Sequence, residues 1–407
     1  MSIDQRLTED AQRTALVPAL IECGLRRFLP DLARGRLCFL LPNGSCIATG
    51  NSESGPDITL EIKNWRPLWR LALGGEIAFA GSYIDGDWST ADLDQLFHLA
   101  MLNEQTLLQP TSPPWPMRAL HRLRHFGNRN TLKGSRRNIL AHYDLGNSFY
   151  QSWLDQGMNY SSALYRDSEA SLEAAQVAKL DRVIELLAPT PGGRVLEIGC
   201  GWGGLAEQLV RVGSHVTAVT LSPAQLSYLR QRLSSAIATG DVDLALLDYR
   251  ELTGRFDHVV SLEMIEAVGE AFWPTYFTAL RERLRGGGTI VLQAITICET
   301  RFKSYRTRPD FIQHYIFPGG MLPTASLIRE HAERAGLRLV AQEFFGDSYA
   351  RTLSEWRRRF HRAWPSLAKG DFDERFHRLW DYYLAYCEMG FRFKATDVGF
   401  FKFEHGP

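Results

Sequence analysis

The chain has 407 residues and carries 46 cationic and 46 anionic side chains, so its formal net charge at neutral pH is zero. Its length suffices for about two or three domains, and the balanced charge gives no reason to expect nucleic acid as a partner. Its six cysteines are scattered without a C-x-x-C pair, which argues against a disulfide framework or a zinc site and fits a reducing cytoplasm.

The first quarter of the sequence predicts a small α+β domain over residues 1–108. Its start is charged and lacks the apolar run of a signal peptide, and no stretch of about 18 apolar residues predicts a membrane span. We therefore expect a cytoplasmic protein that meets a membrane only at its surface. The predicted elements are a helix over about 8–30, strands over 36–41, 45–49 and 58–62, and helices over 65–73 and 92–101.

Residues 109–137 form a linker that is first rich in proline and then rich in cations. The prolines of the segment QPTSPPWPM forbid a regular element, and the basic stretch after them contains no acidic residue. Apolar Leu120, Leu123 and Phe126 alternate with the cations. This pattern favours a surface that binds anionic lipid headgroups, at about 1 kcal/mol per cation. The alternative is a solvated linker between domains.

Residues 138–407 alternate between strand and helix patterns, which predicts a mostly parallel, doubly wound sheet. The predicted helices are 138–154, 171–187, 205–211, 224–233, 271–284, 325–335 and 371–387. The predicted strands are 194–198, 215–221, 242–247, 257–262, 289–296 and 338–345, with a last, antiparallel strand over 400–403.

A glycine-lined turn joins the strand over 194–198 to the helix over 205–211. Gly199, Gly201, Gly203 and Gly204 follow Glu197 within a few residues. The glycines allow close approach of a ligand to the backbone, and the helix N-terminus offers free N–H groups. The spacing is tighter than the dinucleotide pattern G-x-G-x-x-G, so it favours S-adenosylmethionine (SAM), whose amino group Glu197 could meet. A dinucleotide site or a plain structural turn are the alternatives.

Further ligand-binding residues are expected at the carboxyl ends of the other parallel strands. Thr220, Leu221 and Gln225 follow the second strand, where Gln225 substitutes for the carboxylate that often holds the ribose. Tyr249 and Arg250 follow the third strand and are placed to bracket the adenine. Glu263 and Glu266 follow the fourth strand. Either glutamate could serve only as a helix N-terminal charge, and we expect Glu266 to face the reaction centre.

Several longer segments resemble the cyclopropane-fatty-acyl-phospholipid synthase family of SAM-dependent methyltransferases. The similarity covers nearly the whole chain, and its most specific segments are HYDLGN and FPGG-x-LP. The matching segments are GSYIDGDW (81–88), HYDLGNSFY (142–150), MNYSSALY (158–165), LEIGCGWGGLA (196–206), VTLSPAQ (219–225), LEMIEAVGE (262–270), FIQHYIFPGGMLP (311–323) and DYYLAYCEMGFR (381–392).

The resemblance implies a class I SAM-methyltransferase fold, a set of site residues at the matching motif positions, and a homodimer. The implied SAM contacts are Tyr160, Ser161, Glu197, Gly199, Cys200, Gly201, Trp202, Gly203, Thr220, Leu221, Gln225, Tyr249 and Arg250. The resemblance also implies a bicarbonate ion that acts as base. Its implied side-chain ligands are Ser162, Glu266, Gln293 and Tyr349, with the backbone of Ile295 in reach. Cys387 matches a family cysteine treated as catalytic.

Three positions depart from the family pattern. Ser162 stands where cysteine is usual, and Gln293 and Ala267 stand where histidines are usual. Since glutamine is never cationic, Gln293 is expected to hold an anion less tightly than a histidine would. A poorly held base leaves two products open: a cyclopropane ring, or a methyl or methylene branch formed after a hydride shift.

The acyl chain is expected to lie under a lid over residues 296–323. Methyl transfer to an alkene puts positive charge on the chain, and aromatic faces can stabilise that charge while excluding water. We expect Tyr315 and Phe317 of the lid to contact the substrate, although the segment could also be a packed surface loop. For Cys387 the alternative is a structural cysteine, because this transfer needs no thiolate. A catalytically silent lipid-binding protein is a third alternative for the whole chain.

Overall fold

The structure, a computed structural model, describes residues 31–51, 55–107 and 145–406 together with residues 24 and 29. The predicted helix over 8–30 lies almost wholly outside these residues, as do the linker over 109–137 and the start of the helix predicted over 138–154. The chain divides into two compact units, residues 1–118 with 373–389 and residues 119–372 with 390–407. No helix within the described ranges is long and apolar enough to cross a membrane.

The first unit contains a four-stranded sheet in the order β2-β1-β3-β4. β1 pairs antiparallel with β2 and parallel with β3. Alternate side chains of β3 are buried, as expected for a sheet with one covered face. Its strands and helices are β1 (Gly35–Leu40), β2 (Cys46–Asn51), β3 (Asp57–Ile62), β4 (Trp88–Thr90), α1 (Arg66–Ile84), α2 (Leu93–Leu102) and α3 (Glu104–Leu107). The sequence did not predict β4, and α1 extends well beyond the predicted residue 73 because it continues through a kink at Gly75.

One cysteine pair contradicts the expectation that the cysteines stay unpaired. Cys38 and Cys46 form a disulfide, with their Cα atoms 6.3 Å apart. The residues lie on adjacent antiparallel strands, β1 and β2, where Cys46 pairs with Leu40. Strand pairing therefore brings together two cysteines that share no recognisable sequence motif. Cys200, Cys298 and Cys387 take no part in a disulfide among the described residues.

The second unit contains a seven-stranded sheet in the order β10-β11-β9-β8-β5-β6-β7. Its strands are β5 (Arg194–Ile198), β6 (His215–Thr220), β7 (Val242–Leu246), β8 (Phe256–Leu262), β9 (Leu284–Ile297), β10 (Leu337–Phe344) and β11 (Thr396–His405). β5 to β9 pair in parallel, and β11 is antiparallel to both β9 and β10. The predicted parallel sheet with an antiparallel last strand is confirmed.

The order of the strands reverses at β5, which has β6 on one side and β8 on the other. In open α/β sheets this is where ligands bind, at the carboxyl ends of the strands. Val195, Leu196, Glu197 and Ile198 of β5 are all buried, because helices cover both faces of the sheet. The glycine turn therefore leaves the middle of the sheet from a rigid, fully packed strand.

The helices of the second unit surround this sheet. They are α4 (Asn147–Gln151), α5 (Leu172–Leu187), α6 (Gly204–Arg211), α7 (Pro223–Arg232), α8 (Ser234–Thr239), α9 (Ile265–Val268), α10 (Trp273–Arg283), α11 (Glu299–Thr307), α12 (Phe311–Tyr315), α13 (Ala325–Arg334) and α14 (Gly346–Leu367). The sequence analysis missed α14, a helix of 22 residues that buries Tyr349, Leu353 and Trp356 on one face. Because arginines occupy its other faces, the apolar stripe was not recognised in the sequence.

A last helix, α15 (Glu374–Arg392), was predicted as part of the methyltransferase domain. Over residues 373–389 it instead belongs to the first compact unit. Its Asp381 accepts a hydrogen bond from the Tyr83 hydroxyl at 3.3 Å, and Tyr382 packs against Phe97 with ring centroids 4.9 Å apart. These contacts between distant parts of the chain explain why sequence order alone did not assign the helix.

Candidate active site

The turn after β5 requires glycine for two separate reasons. Its left-handed positions are Gly199 (φ 78°), Gly201 (φ 53°) and Gly203 (φ 84°). A Cβ added at Gly203 would lie 2.3 Å from Leu229, and one at Gly204 would lie 2.3 Å from Asn159. At Gly201 no atom lies within 4 Å of the added Cβ. Packing therefore excludes side chains at two of these glycines, whereas Gly201 faces open space through which a ligand can approach the backbone.

Glu197 is buried near the end of β5, directly before the glycine turn. Its Oε2 atom has no hydrogen-bond partner. Burial raises the pKa of Glu197 to about 8, and the cations Lys179 and Arg232 oppose that rise. The contact of Glu197 with the amino group of SAM stays a prediction.

A buried lysine supports the segment that follows α4. Lys179 of α5 donates a hydrogen bond from Nζ to Ser161 Oγ at 2.8 Å, and Gln176 donates to the Ser161 carbonyl at 2.9 Å. Burial lowers the pKa of Lys179 to about 8, although Glu263, Asp155 and Glu197 favour its charged form. The sequence analysis predicted Ser161 as a SAM contact and missed Lys179, whose position on a buried helix face resembles that of an ordinary apolar residue.

Aromatic side chains connect the glycine turn to α14. We call the rings of Trp202, Tyr150, Tyr160, Trp356 and Tyr349 the aromatic series. Successive ring centroids lie 4.9, 5.4, 5.4 and 6.1 Å apart in that order. The Trp202 indole N–H donates to Asn147 Oδ1 at 2.9 Å, which ties α4 to the turn. Tyr150 of α4 and Tyr160 of the MNYSS segment therefore form one continuous run of rings with Trp202 of the glycine turn.

The side chains that follow β6 and β7 bond mainly to each other. Thr220 donates from its hydroxyl to the Gln225 side-chain oxygen at 2.7 Å, so this oxygen of Gln225 is engaged within the protein. Arg250 folds back onto Asp248, donating from Nε at 2.8 Å and from a terminal nitrogen at 2.7 Å. Its guanidinium lies 5.3 Å from the centroid of the Tyr249 ring. Contacts of Thr220, Leu221, Gln225, Tyr249 and Arg250 with SAM stay predictions.

Three of the residues expected to hold a bicarbonate ion donate hydrogen bonds to the carboxyl group of Glu263. Glu263 Oε1 accepts from the Ser162 backbone N–H at 2.8 Å and from the Gln293 amide at 2.6 Å. Glu263 Oε2 accepts from the Tyr349 hydroxyl at 2.7 Å. We call these four residues the carboxyl pocket. Burial raises the pKa of Glu263, and its three donors together with Lys179 oppose the rise.

Two of the predicted ligands act differently from what the resemblance implied. The Ser162 hydroxyl donates to the Ala163 carbonyl at 2.9 Å, so the backbone of Ser162, rather than its side chain, serves the pocket. The Ile295 N–H donates to Glu266 Oε1. Glu266 therefore lies beside the pocket with its own donor, while its Oε2 atom is buried without a hydrogen-bond partner. Burial and the neighbouring Glu263 charge raise the pKa of Glu266 to about 8.

The segment over 296–323 is folded against the glutamates. Met321 donates its backbone N–H to the Glu266 carbonyl at 2.8 Å, and Gln313 donates to the Gly320 carbonyl at 2.9 Å. Tyr315 and Phe317 are partly exposed, and the Tyr315 ring packs on Phe311 with centroids 5.1 Å apart. The segment is thus an ordered cover that contains α11 and α12, and its contact with an acyl chain stays a prediction.

Two cysteines were also predicted as site residues. Cys200 lies buried in the glycine turn, where burial and Glu197 raise the pKa of its thiol, so that it stays protonated. Cys387 is half-buried and belongs to the first compact unit, whereas the carboxyl pocket belongs to the second. The catalytic role of Cys387 stays a prediction carried by the resemblance alone.

Glu266 rather than Glu263 was expected to face the reaction centre, and the two residues are difficult to distinguish from the sequence. Both residues follow β8, and both precede or begin a short helix. Glu263 has a left-handed backbone with φ 49°, which turns its side chain toward Gln293 and Tyr349. No sequence pattern marks a glutamate for this conformation. Its position directly after a parallel strand was the only available signal.

Known proteins are similar to this chain over most of its length. The family model for mycolic acid cyclopropane synthetase matches residues 130–401. The tuberculostearic acid methyltransferase UfaA1 of Mycobacterium tuberculosis is 40% identical over 337 residues, which cover 81% of this chain and 79% of that protein. The cyclopropane-fatty-acyl-phospholipid synthase of Escherichia coli K12 is 35% identical over 355 residues, which cover 86% and 87% of the two chains.

A solved structure supports the cofactor site. The mycolic acid cyclopropane synthase CmaA1, in complex with SAH and CTAB, superimposes with a TM-score of 0.62 at 26% identity. The match covers 66% of this chain and 97% of that one. SAM is therefore the methyl donor, as the glycine turn predicted, and the dinucleotide alternative is wrong. The chain belongs to the mycolic acid cyclopropane synthetase family and is a SAM-dependent methyltransferase.

Proposed function

We propose that the protein transfers the methyl group of SAM to a double bond in the unsaturated acyl chain of a membrane phospholipid and then closes a cyclopropane ring. The observation that carries the proposal is the aromatic series, which runs from the glycine turn to the carboxyl pocket. Aromatic faces stabilise a cation without reacting with it, and a carboxylate at the end of the series can remove a proton.

The residues have separate tasks in this chemistry. The glycine turn holds the methionyl part of SAM close to the backbone, and the aromatic series excludes water from the sulfonium methyl. The alkene attacks that methyl group and takes it from the sulfonium, so SAM becomes S-adenosylhomocysteine. The neighbouring carbon of the acyl chain then carries a positive charge. Loss of a proton from the new methyl group gives the electron pair that closes the ring. Tyr160 and Tyr349 of the series are the rings best placed to face the cation.

The names of the relatives support a lipid substrate but differ in the product. One relative is named for a cyclopropane fatty acyl phospholipid, and another for tuberculostearic acid. Gln293, in the position where the resemblance implies a histidine, favours the second candidate product, a mid-chain methylene branch. It forms when a hydride shift precedes proton loss. A saturated methyl branch would require a separate hydride donor.

Fatty-acid analysis distinguishes the products. Purified protein, SAM and vesicles of monounsaturated phosphatidylglycerol are incubated together, and the esterified chains are analysed by mass spectrometry. Both products add one carbon and two hydrogens to the chain. Mild hydrogenation converts the methylene branch to a methyl branch and leaves the ring intact, whereas hydrogenolysis opens the ring. Chains without added carbon would contradict both candidates.

We also propose that the first unit contacts the bilayer surface. Trp69 and Leu73 occupy one face of α1 and are 52% and 57% exposed, which is unusual for large apolar side chains. Arg66 and Arg70 lie on the same helix and form ion pairs with Asp87 and Asp85. An indole beside cations suits the headgroup region of a membrane. A homodimer stays a prediction from the resemblance, as does a location at the inner membrane surface.

A further inference from the structure

The structure does not fit the bicarbonate ion that the resemblance implies. Such an ion needs hydrogen-bond donors that are free to bind it. The Ser162 N–H, the Gln293 amide and the Tyr349 hydroxyl all donate to Glu263 at 2.6–2.8 Å. The Ile295 N–H donates to Glu266. Each of these four donors therefore already binds a carboxyl group of the chain.

Charge also opposes a separate anion at this place. Burial, and after it the charge of Glu263, raise the pKa of Glu266 to about 8. An added bicarbonate would bring a further negative charge beside them. The buried cation that acts on Glu263, Lys179, is bound to Ser161 and already balances Glu263, Asp155 and Glu197. The pocket has donors and charge for one carboxylate, and Glu263 supplies it.

The backbone places the Glu263 carboxyl group in the pocket. Its left-handed φ of 49° is uncommon for glutamate, and it persists because the Glu263 N–H donates to the Gln293 carbonyl at 2.7 Å. The same glutamine donates its side-chain amide to Glu263 Oε1. Gln293 thus holds the residue at both ends, and Tyr349 fixes the second carboxyl oxygen from α14. This arrangement is typical of a built site rather than of a surface helix charge.

We propose that Glu263 is the base of the reaction and replaces a separately bound bicarbonate. This inference rests on the proposed function. After methyl transfer, a C–H bond of the new methyl group breaks, its electron pair forms the new carbon–carbon bond, and the proton moves to a Glu263 carboxyl oxygen. No other reactant is needed. Tyr349, Gln293 and the Ser162 backbone orient the carboxylate, and the proton leaves to solvent after product release.

Turnover of a charge-neutral variant tests the role directly. Glu263→Gln keeps the shape of the side chain but cannot accept the proton. We expect its turnover on unsaturated vesicles to fall by about 10²–10⁴-fold, the usual contribution of a general base, with SAM affinity within threefold of wild type. Glu270→Gln is the matched control, because Glu270 is also close to β8 but pairs at the surface with Arg306. Undiminished turnover of Glu263→Gln would overturn the proposal.

Bicarbonate binding tests the same proposal without any turnover. Carbon-13 bicarbonate is titrated into wild type and into Glu263→Gly, and bound ion is detected by NMR. We expect no binding to wild type, and binding to Glu263→Gly, whose pocket donors are released. Millimolar or tighter binding to wild type would overturn the proposal. If wild type transfers no methyl to lipid, the proposed function fails, while this titration still decides whether the pocket accepts bicarbonate.

A third experiment tests whether turnover depends on bicarbonate. Wild-type turnover is measured in carbon-dioxide-free buffer and again after bicarbonate is added. We expect the two rates to agree within twofold, and we expect added bicarbonate or formate to restore part of the activity of Glu263→Gly. Wild-type activity that disappears in carbon-dioxide-free buffer and returns with bicarbonate would contradict a built-in base.

Discussion

Glu263 and Glu266 are three residues apart and have different surroundings. Glu263 has three donors, one of them a tyrosine hydroxyl, whereas Glu266 has the single N–H of Ile295 and one unpartnered oxygen. A carboxylate with more donors ionises first, and its charge then keeps its neighbour protonated. The pair is therefore expected to share one negative charge near neutral pH, with that charge on Glu263.

Lys179 is expected to set the pH at which this charge forms. Its cation stabilises nearby carboxylates, so Lys179→Met should raise the pKa of Glu263, and the acidic limb of the turnover profile should move to higher pH. Arg182→Met is the control, because Arg182 is on the same helix but pairs with Glu185 and Glu343. A profile that moves equally in both variants would show that Lys179 has no special electrostatic role.

Individual site residues were predicted unevenly from the sequence. The glycines and Glu266 were named from the glycine turn and from the end of a strand, whereas Gln293 and Tyr349 were named from the family resemblance. Lys179 was not named and Glu263 was placed second, because their roles depend on burial and on a left-handed backbone, which only the folded chain defines. The contact of Glu197 with SAM stays a prediction, and its Oε2 atom is buried without a hydrogen-bond partner. A sequence shows the residue type at a position but not the direction of its side chain.

The turn between β5 and α6 contributes both to the stability of the fold and to SAM binding. Substitutions at Gly203 and Gly201 test these two contributions separately. Gly203→Ala would push a Cβ to 2.3 Å from Leu229, so we expect a loss of about 1–3 kcal/mol in the free energy of unfolding. Gly201→Ala meets no atom within 4 Å, so it should cost only the ~1 kcal/mol of a left-handed alanine.

SAM titration completes this comparison. The methyl group of Gly201→Ala would project into the open side of the turn, so SAM affinity should fall at least tenfold, or about 1.4 kcal/mol. Calorimetric binding and thermal unfolding measure the two effects. Normal SAM affinity in Gly201→Ala would mean that the ligand does not approach the turn on this side.

At the scale of elements, the sheet was largely predictable and α14 was not. Alternation of apolar strands with helices defines β5 to β9 with errors of a few residues, since each strand is short and bounded by turn residues. α14 contains many arginines and begins at a glycine, so its apolar face was not recognised. It supplies Tyr349 to the carboxyl pocket, and its Thr352 accepts a hydrogen bond from Ala163 at 3.1 Å. The site therefore needs an element that local sequence did not reveal.

For the whole molecule, the proposed reaction requires that an acyl chain passes from a bilayer into a site that excludes water. If α1 contacts lipid, replacing both Trp69 and Leu73 by serine should lower turnover on vesicles about tenfold, and SAM affinity should not change. The matched control replaces Val212 and Ile237, which are 42% and 40% exposed on the second unit. Vesicle co-sedimentation measures the binding. Equal losses in both double variants would remove α1 as the contact.

The central claim is that a methyl group from SAM enters an acyl chain and then loses one proton. The direct measurement uses SAM with a fully deuterated methyl group, purified protein and vesicles of monounsaturated phospholipid, followed by mass spectrometry of the esterified chains. The account predicts chains that retain two of the three deuterium atoms, because the base removes the third. Label found only in water-soluble products, or chains that retain all three deuterium atoms, would contradict it.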